Sequence, residues 1–249
     1  MKIKQAEFKV KIGKLRSVNQ KLLNDTFIWS DIAIRSLKEV HKNEDFLNLK
    51  KFIVPSSKKD KLVNRSPSQV KKIIESAYNQ DLLYSVFIFG IAQFEAFLSD
   101  LIKESLLFDN RKIKTNVPGI NHTNKIDVSK IIDSDDKGSL IELIIDNELI
   151  SVFYSSPQKQ REYLIKVLGL KVDEENWAKW NEYKATRDLI VHNQGIINEL
   201  YLKKASTRAR GEMGDKIEID INYFRQSFSE MKSLIGRFTN QVQKSLEKE

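Results

Sequence analysis

The sequence contains no cysteine, which removes disulfide bonds, thiolate nucleophiles and cysteine-ligated zinc at once. Its three histidines are too few and too scattered for a histidine-rich metal site, so neither a metal nor a cofactor is expected. Four prolines and nine glycines in 249 residues enforce few breaks in the backbone. No apolar run is long enough for a bilayer. The longest, Leu82 to Phe94, is interrupted by Tyr84, Ser85 and Gln93, against the ~20 residues that a spanning helix needs. The amino-terminal stretch MKIKQAEFKVKIGK alternates lysine with apolar residues and has none of the continuous hydrophobic core of a secretory signal. A soluble cytoplasmic protein is the expectation.

What is present supports a packed core. Hydrophobic residues make up 41% of the chain and aromatics 9%, which excludes global disorder. The length fits one domain with an extension, or two small ones. Net charge is +8, and the excess is uneven. Lys42, Lys50, Lys51, Lys58, Lys59, Lys61 and Arg65 face only Glu44, Asp45 and Asp60 within residues 41–65. A second cluster, Lys203, Lys204, Arg208 and Arg210, lies near the carboxyl-terminal third. Such runs are either solvated lysine surfaces or phosphate-tracking patches.

Helical spacing dominates. Apolar residues recur at helical intervals over Leu15 to Lys42, and Asn43 to Asn64, with Pro55, reads as a short helix and an exposed loop. Ser66-Pro67 opens a helix that runs to about Phe108 with a break near Asn79. A loop built on Pro118-Gly119 follows, then a helix over Ser139 to Phe153. Another helix starts at Ser156-Pro157 and ends at Gly169. Asp173, with Glu174 and Glu175 in the first turn, caps a helix that reaches Asn193, with Gly195 as terminator. KIEID, residues 216–220, alternates like a short strand, and Ile221 to Lys248 forms the last amphipathic helix. An all-α bundle is expected, with a basic helical extension over 1–66, a helical domain over 67–249 and one short β element near 216–220.

The segment RDLIVHN, Arg187 to Asn193, is the most informative. On a helical wheel Trp177, Trp180, Tyr183, Ile190 and Val191 share one arc of about 140°, and Arg187 sits near its middle. Burying an arginine costs several kcal/mol unless it meets a carboxylate or an anionic ligand. Asp188 and His192 are four apart and within reach of each other. Glu95 is similarly misplaced, at the centre of the stripe Ile88, Ile91, Leu98 and Ile102. A Glu95–Arg187 ion pair is the expected resolution. Arginine followed by histidine is a short pattern, and Arg35 with His41 (RSLKEVH) also fits. What raises the second match is its context: a polar residue follows the arginine, Asn193 follows the histidine, the helix terminates at once, and the arginine sits on an apolar arc. Trp177 and Trp180 read as core rather than as base-stacking residues.

FEAFLSDLI (Phe94 to Ile102) resembles the second-helix motif of HEPN domains, and RDLIVHNQGIIN (Arg187 to Asn198) resembles their signature helix, arginine-x(4–6)-histidine. KIEID and the long last helix are also like HEPN proteins of prokaryotic conflict systems. The resemblance covers about residues 67–249. It implies a metal-independent endoribonuclease, a toxin or abortive-infection effector acting in antiviral defence, that works as a homodimer with facing signature helices. An antitoxin or regulatory partner protein accompanies that reading. On the family pattern Arg187 and His192 carry over as the catalytic pair, with Asp188 and Asn193 supporting them. Glu95 would brace Arg187, and Lys184, Lys203, Lys204, Arg208 and Arg210 would bind RNA. A catalytically silent module binding RNA or protein through the same groove is the alternative. Five residues set Arg187 and His192 about 140° apart and roughly 7.5 Å along the axis. One helix therefore does not close the site easily, whereas two copies related by a two-fold would.

Overall fold

The structure, a computed structural model, describes residues 2–48, 51–122, 127–132, 134 and 136–246. Helix α1 (Lys2–Val40) leads to the single turn α2 (Glu44–Leu47), a hairpin of β1 (Lys51–Val54) and β2 (Lys61–Asn64), and α3 (Pro67–Ser76). A π-helical turn over Ala77–Asp81 joins α3 to α4 (Leu82–Phe108). Then come α5 (Val128–Ile132), α6 (Lys137–Tyr154), α7 (Pro157–Lys166), α8 (Glu174–Asn193), α9 (Glu199–Ala205) and α10 (Ile221–Ser245). The all-α class is as expected. Several boundaries rest on caps legible in the sequence. Ser66 and Gln69 form a reciprocal capping box around Pro67, and Asp173 accepts from the Asn176 amide to start α8.

Three elements differ from the sequence reading. The first helix begins at Lys2, not near Leu15, because Phe8 and Ile12, four apart, are buried among the lysines. Residues 51–64 form an antiparallel hairpin, not a loop, pairing Phe52 with Val63 and Ile53 with Leu62. KIEID, by contrast, makes one isolated bridge, Lys216 to Ile196. Ile217 and Ile219 are buried while their neighbours are exposed, so the alternation is real but the segment finds no partner strand among the described residues.

Helix α4 is the spine. Phe87, Ile91, Phe94, Phe97, Leu98 and Leu101 are buried there against α1, α6, α8 and α10. Through α3 the continuous helix Pro67–Phe108 reaches 42 residues and is long and apolar enough, by length and composition, to cross a membrane. Counting only the run Leu82 to Phe94 misses this. Half of its most apolar window is buried inside the bundle, as in the core helix of a helical bundle. Phe8, Ile12 and Leu23 of α1 belong to the same core.

Gly90 lets α4 and α10 approach closely. A Cβ there would lie 2.6 Å from the ring of Phe228, itself buried. Gly90→Ala should therefore lower stability by about 1–3 kcal/mol through overpacking, despite alanine's better helix propensity. Chemical denaturation checks this, and an equal or higher midpoint would show that the ring yields freely.

Candidate functional site

Helix α8 carries its own foundation. Trp177, Trp180 and Tyr183 are buried, with Trp180 against Phe94 of α4 at a centroid distance of 4.5 Å. The two tryptophans are core, as expected. At the other end, Ala185 and Leu189 join Ile197, Tyr201, Ala205 and Ile217 in a small second cluster. That cluster holds α9 against α8 and fixes the chain that follows His192. Gln194 adopts a left-handed conformation (φ 54°) and Gly195 follows at φ 78°. The Leu189 carbonyl accepts from both their amides, ending the helix. Asn193 donates its side-chain amide to the Ile196 carbonyl and so braces the turn.

Arg187 finds the expected carboxylate. Its Nη2 lies 2.7 Å from Glu95 Oε2, and its Nη1 lies 3.1 Å from Asp188 Oδ1. The other Glu95 oxygen is 3.0 Å from Lys184 Nζ, so one carboxylate of α4 holds two cations of α8. The arginine is only 23% exposed, which makes its orientation fixed.

The link between Asp188 and His192 is not formed. The second Asp188 oxygen is 3.0 Å from Lys204 Nζ, leaving both oxygens with cations. Among the described residues the exposed His192 imidazole has no hydrogen-bond partner. Asp188 joins α8 to α9 rather than orienting the histidine. It also stands between two clefts. Arg187, Glu95, Lys184 and Phe153 line one of ≈ 430 Å³. His192, Asn193, Tyr201 and Lys204 line the other, ≈ 290 Å³, and Asp188 borders both. Within one chain, the arginine and the histidine open to different sides of that carboxylate.

The basic residues grouped in the sequence separate in space. Lys203 is exposed, and Lys204 edges the His192 cleft. Arg208 meets Glu175 at 3.3 Å. Arg210 does not belong with a phosphate-tracking patch. Its Nε donates to Glu182 Oε1 at 3.0 Å, its Nη1 donates to the Glu218 carbonyl, and its guanidinium lies 3.4 Å over the Tyr223 ring. The same Glu182 accepts from Thr186, Tyr201 and Tyr223. Burial and then the Glu182 charge push the phenols of Tyr223 and Tyr201 up, so both stay protonated as donors. Burial opposes the Arg210 charge, but Tyr223 and Glu182 outweigh it and raise its pKa. Glu182 was invisible to a reading by periodicity. The available signal was Thr186, four residues on, whose hydroxyl closes onto it.

The other arginine–histidine pair is elsewhere. Arg35 is bound to Asp31 on the same helix at 2.8 Å, and His41 packs edge-on against Tyr78. Comparison with protein-family models, curated proteins and solved structures finds no match to this chain.

Proposed function

We propose that the protein is a metal-independent endoribonuclease, with Arg187 and His192 as its catalytic residues and its complete site formed between two copies. The observation that carries this reading is the contrast along one helix. Arg187 is half-buried and held by Glu95, while five residues later His192 is exposed, without a hydrogen bond among the described residues, and next to a cleft. A fixed guanidinium suits binding of a phosphate, and a free imidazole suits proton transfer near neutral pH. The resemblance to HEPN domains supports the same pairing and extends the proposal to an effector role in antiviral defence with an antitoxin or regulatory partner.

RNA brings its own nucleophile. The 2′-hydroxyl attacks the adjacent phosphorus as His192 takes its proton or donates one to the departing 5′-oxygen, with water serving the other proton transfer. The phosphorus–O5′ bond breaks, leaving a 2′,3′-cyclic phosphate and a 5′-hydroxyl. Arg187 stabilises the charge that builds on the phosphate oxygens. Since the two residues line different clefts that share Asp188, a second copy would supply His192 to the Arg187 cleft, or the reverse. An oligonucleotide carrying a single 2′-deoxy nucleotide at the mapped cleavage position should resist cutting there. Cutting at that position would show that the 2′-hydroxyl is not the nucleophile.

Glu95→Gln should leave the fold intact, costing about 1 kcal/mol for a pair that is partly exposed. It should lower turnover by roughly 10-fold through the loosened arginine. Melting and single-turnover rates measured together check this; an unchanged rate would remove Glu95 from the site. A second reading, a silent RNA- or protein-binding module, is favoured by one observation. Arg187 already faces two carboxylates, which leaves it less free to receive a phosphate.

A further inference from the structure

The basic stretch flagged at residues 41–65 takes a definite shape. Lys51, Lys58, Lys59, Lys61 and Arg65 sit on the hairpin or at its exit, with Asp60 the one carboxylate of that stretch. Among the described residues none of those four lysine side chains has an ion-pair or hydrogen-bond partner. The cations around α8 are in the opposite condition, with Lys184, Arg187, Lys204, Arg208 and Arg210 each facing a carboxylate. Among the described residues the strands pack substantially only on each other, and a lone two-stranded hairpin has little stability of its own.

One face carries the cross-strand pair Ile53 and Leu62, 73% and 60% exposed. Lysine on a short edge strand blocks unwanted strand pairing, which accounts for Lys51 and Lys61. It does not account for Lys58 and Lys59 in the connecting loop, nor for two exposed aliphatics.

We propose that this hairpin is an RNA-anchoring arm whose lysines hold backbone phosphates and whose Ile53–Leu62 face packs on the sugars, away from the α8 clefts. Charge complementarity selects a polyanion. The deep, narrow major groove of A-form RNA does not admit a ribbon, so the arm follows the backbone. The arm's base and α8 share one rigid element. Arg65 is nineteen residues before Tyr84, whose phenol bonds the Ile217 carbonyl next to Gly195 at the end of α8. The seventeen residues from Pro67 to Tyr84 span roughly 25 Å of helix axis, or about seven nucleotide steps at ~3.4 Å. A stacked RNA shorter than this does not reach both places. The length argument rests on the reading of α8 as the cleavage site; phosphate binding by the arm does not.

The test is anisotropy of labelled RNAs of about 24 and about 6 nucleotides in a His192→Ala background, with and without K58E/K59E/K61E, each protein checked by circular dichroism. The arm variant should bind the long RNA at least ~10-fold more weakly, with a salt slope smaller by about 2, and should lose less affinity for the short RNA, whose few phosphates make fewer contacts. Unchanged affinity and slope for the long RNA would overturn the arm. So would absence of RNA binding by the parent, or a clear preference of the arm for duplex DNA, whose major groove accepts a ribbon. Cleavage assays with His192 restored separate the two ideas. RNA held through the arm but never cut sinks the ribonuclease reading alone, and cutting that ignores the arm variant on long RNA sinks the arm alone.

Discussion

Replacing His192 with alanine should abolish RNA cleavage while leaving the fold and RNA affinity unchanged. Loss of a general acid–base group typically lowers rates 10²–10⁴-fold, so a fall of at least about 10² in the single-turnover rate is expected. The structural reason for expecting no collapse is specific. The His192 side chain is exposed and makes no hydrogen bond among the described residues. The helix terminates instead through Gln194 and Gly195 on the Leu189 carbonyl. Removing the imidazole leaves that turn, the Asn193 brace and the small cluster beneath it in place. A variant that kept full activity would move the chemistry elsewhere. One that lost activity and melted early would give His192 a structural role that its surroundings do not suggest.

The largest loss of stability should come from Glu182→Ala. Glu182 is 4% exposed and gathers Arg210, Thr186, Tyr201 and Tyr223. Alanine would leave the Arg210 guanidinium largely buried over the Tyr223 ring with no carboxylate facing it. Breaking a buried pair from one side costs about 3–5 kcal/mol, which corresponds to roughly 8–15 °C in melting temperature for a chain of this size. Glu182→Gln keeps the shape and some of the acceptors, so its cost should be smaller. Thermal unfolding by circular dichroism compares the two. Equal, small shifts for both would mean that Arg210 escapes to solvent and that the network contributes little. Because Thr186 precedes Arg187 on α8, a severe Glu182 variant should also disturb the clefts.

Much of this was legible along the chain, for local reasons. Ser66-Pro67, Asp173 and Gly195 mark helix ends through groups within a few residues, so sequence and structure agree there. The misplaced Glu95 and Arg187 each broke an apolar stripe, and two unexplained charges of opposite sign identified each other across 92 residues of chain. Competition among partners was not legible. Asp188 is four residues from His192, as a helical pair should be, but Lys204 on α9 and the adjacent Arg187 take its oxygens. Arg210 looked like part of a basic run because Glu182, its partner, lies 28 residues away. The hairpin was hidden because lysine, serine and proline in residues 51–61 read as loop chemistry, while register is set by cross-strand pairs that no local pattern announces. KIEID shows the reverse. Its alternation records burial of Ile217 and Ile219, which an extended segment can satisfy without a sheet.

The most direct test of the central claim is to incubate the purified protein with total RNA in EDTA and map the ends produced. The reading of Arg187 and His192 requires new 2′,3′-cyclic phosphate and 5′-hydroxyl ends, absent from a parallel His192→Ala preparation. Cleavage that leaves 3′-hydroxyl ends, or equal cleavage by the variant, would contradict it.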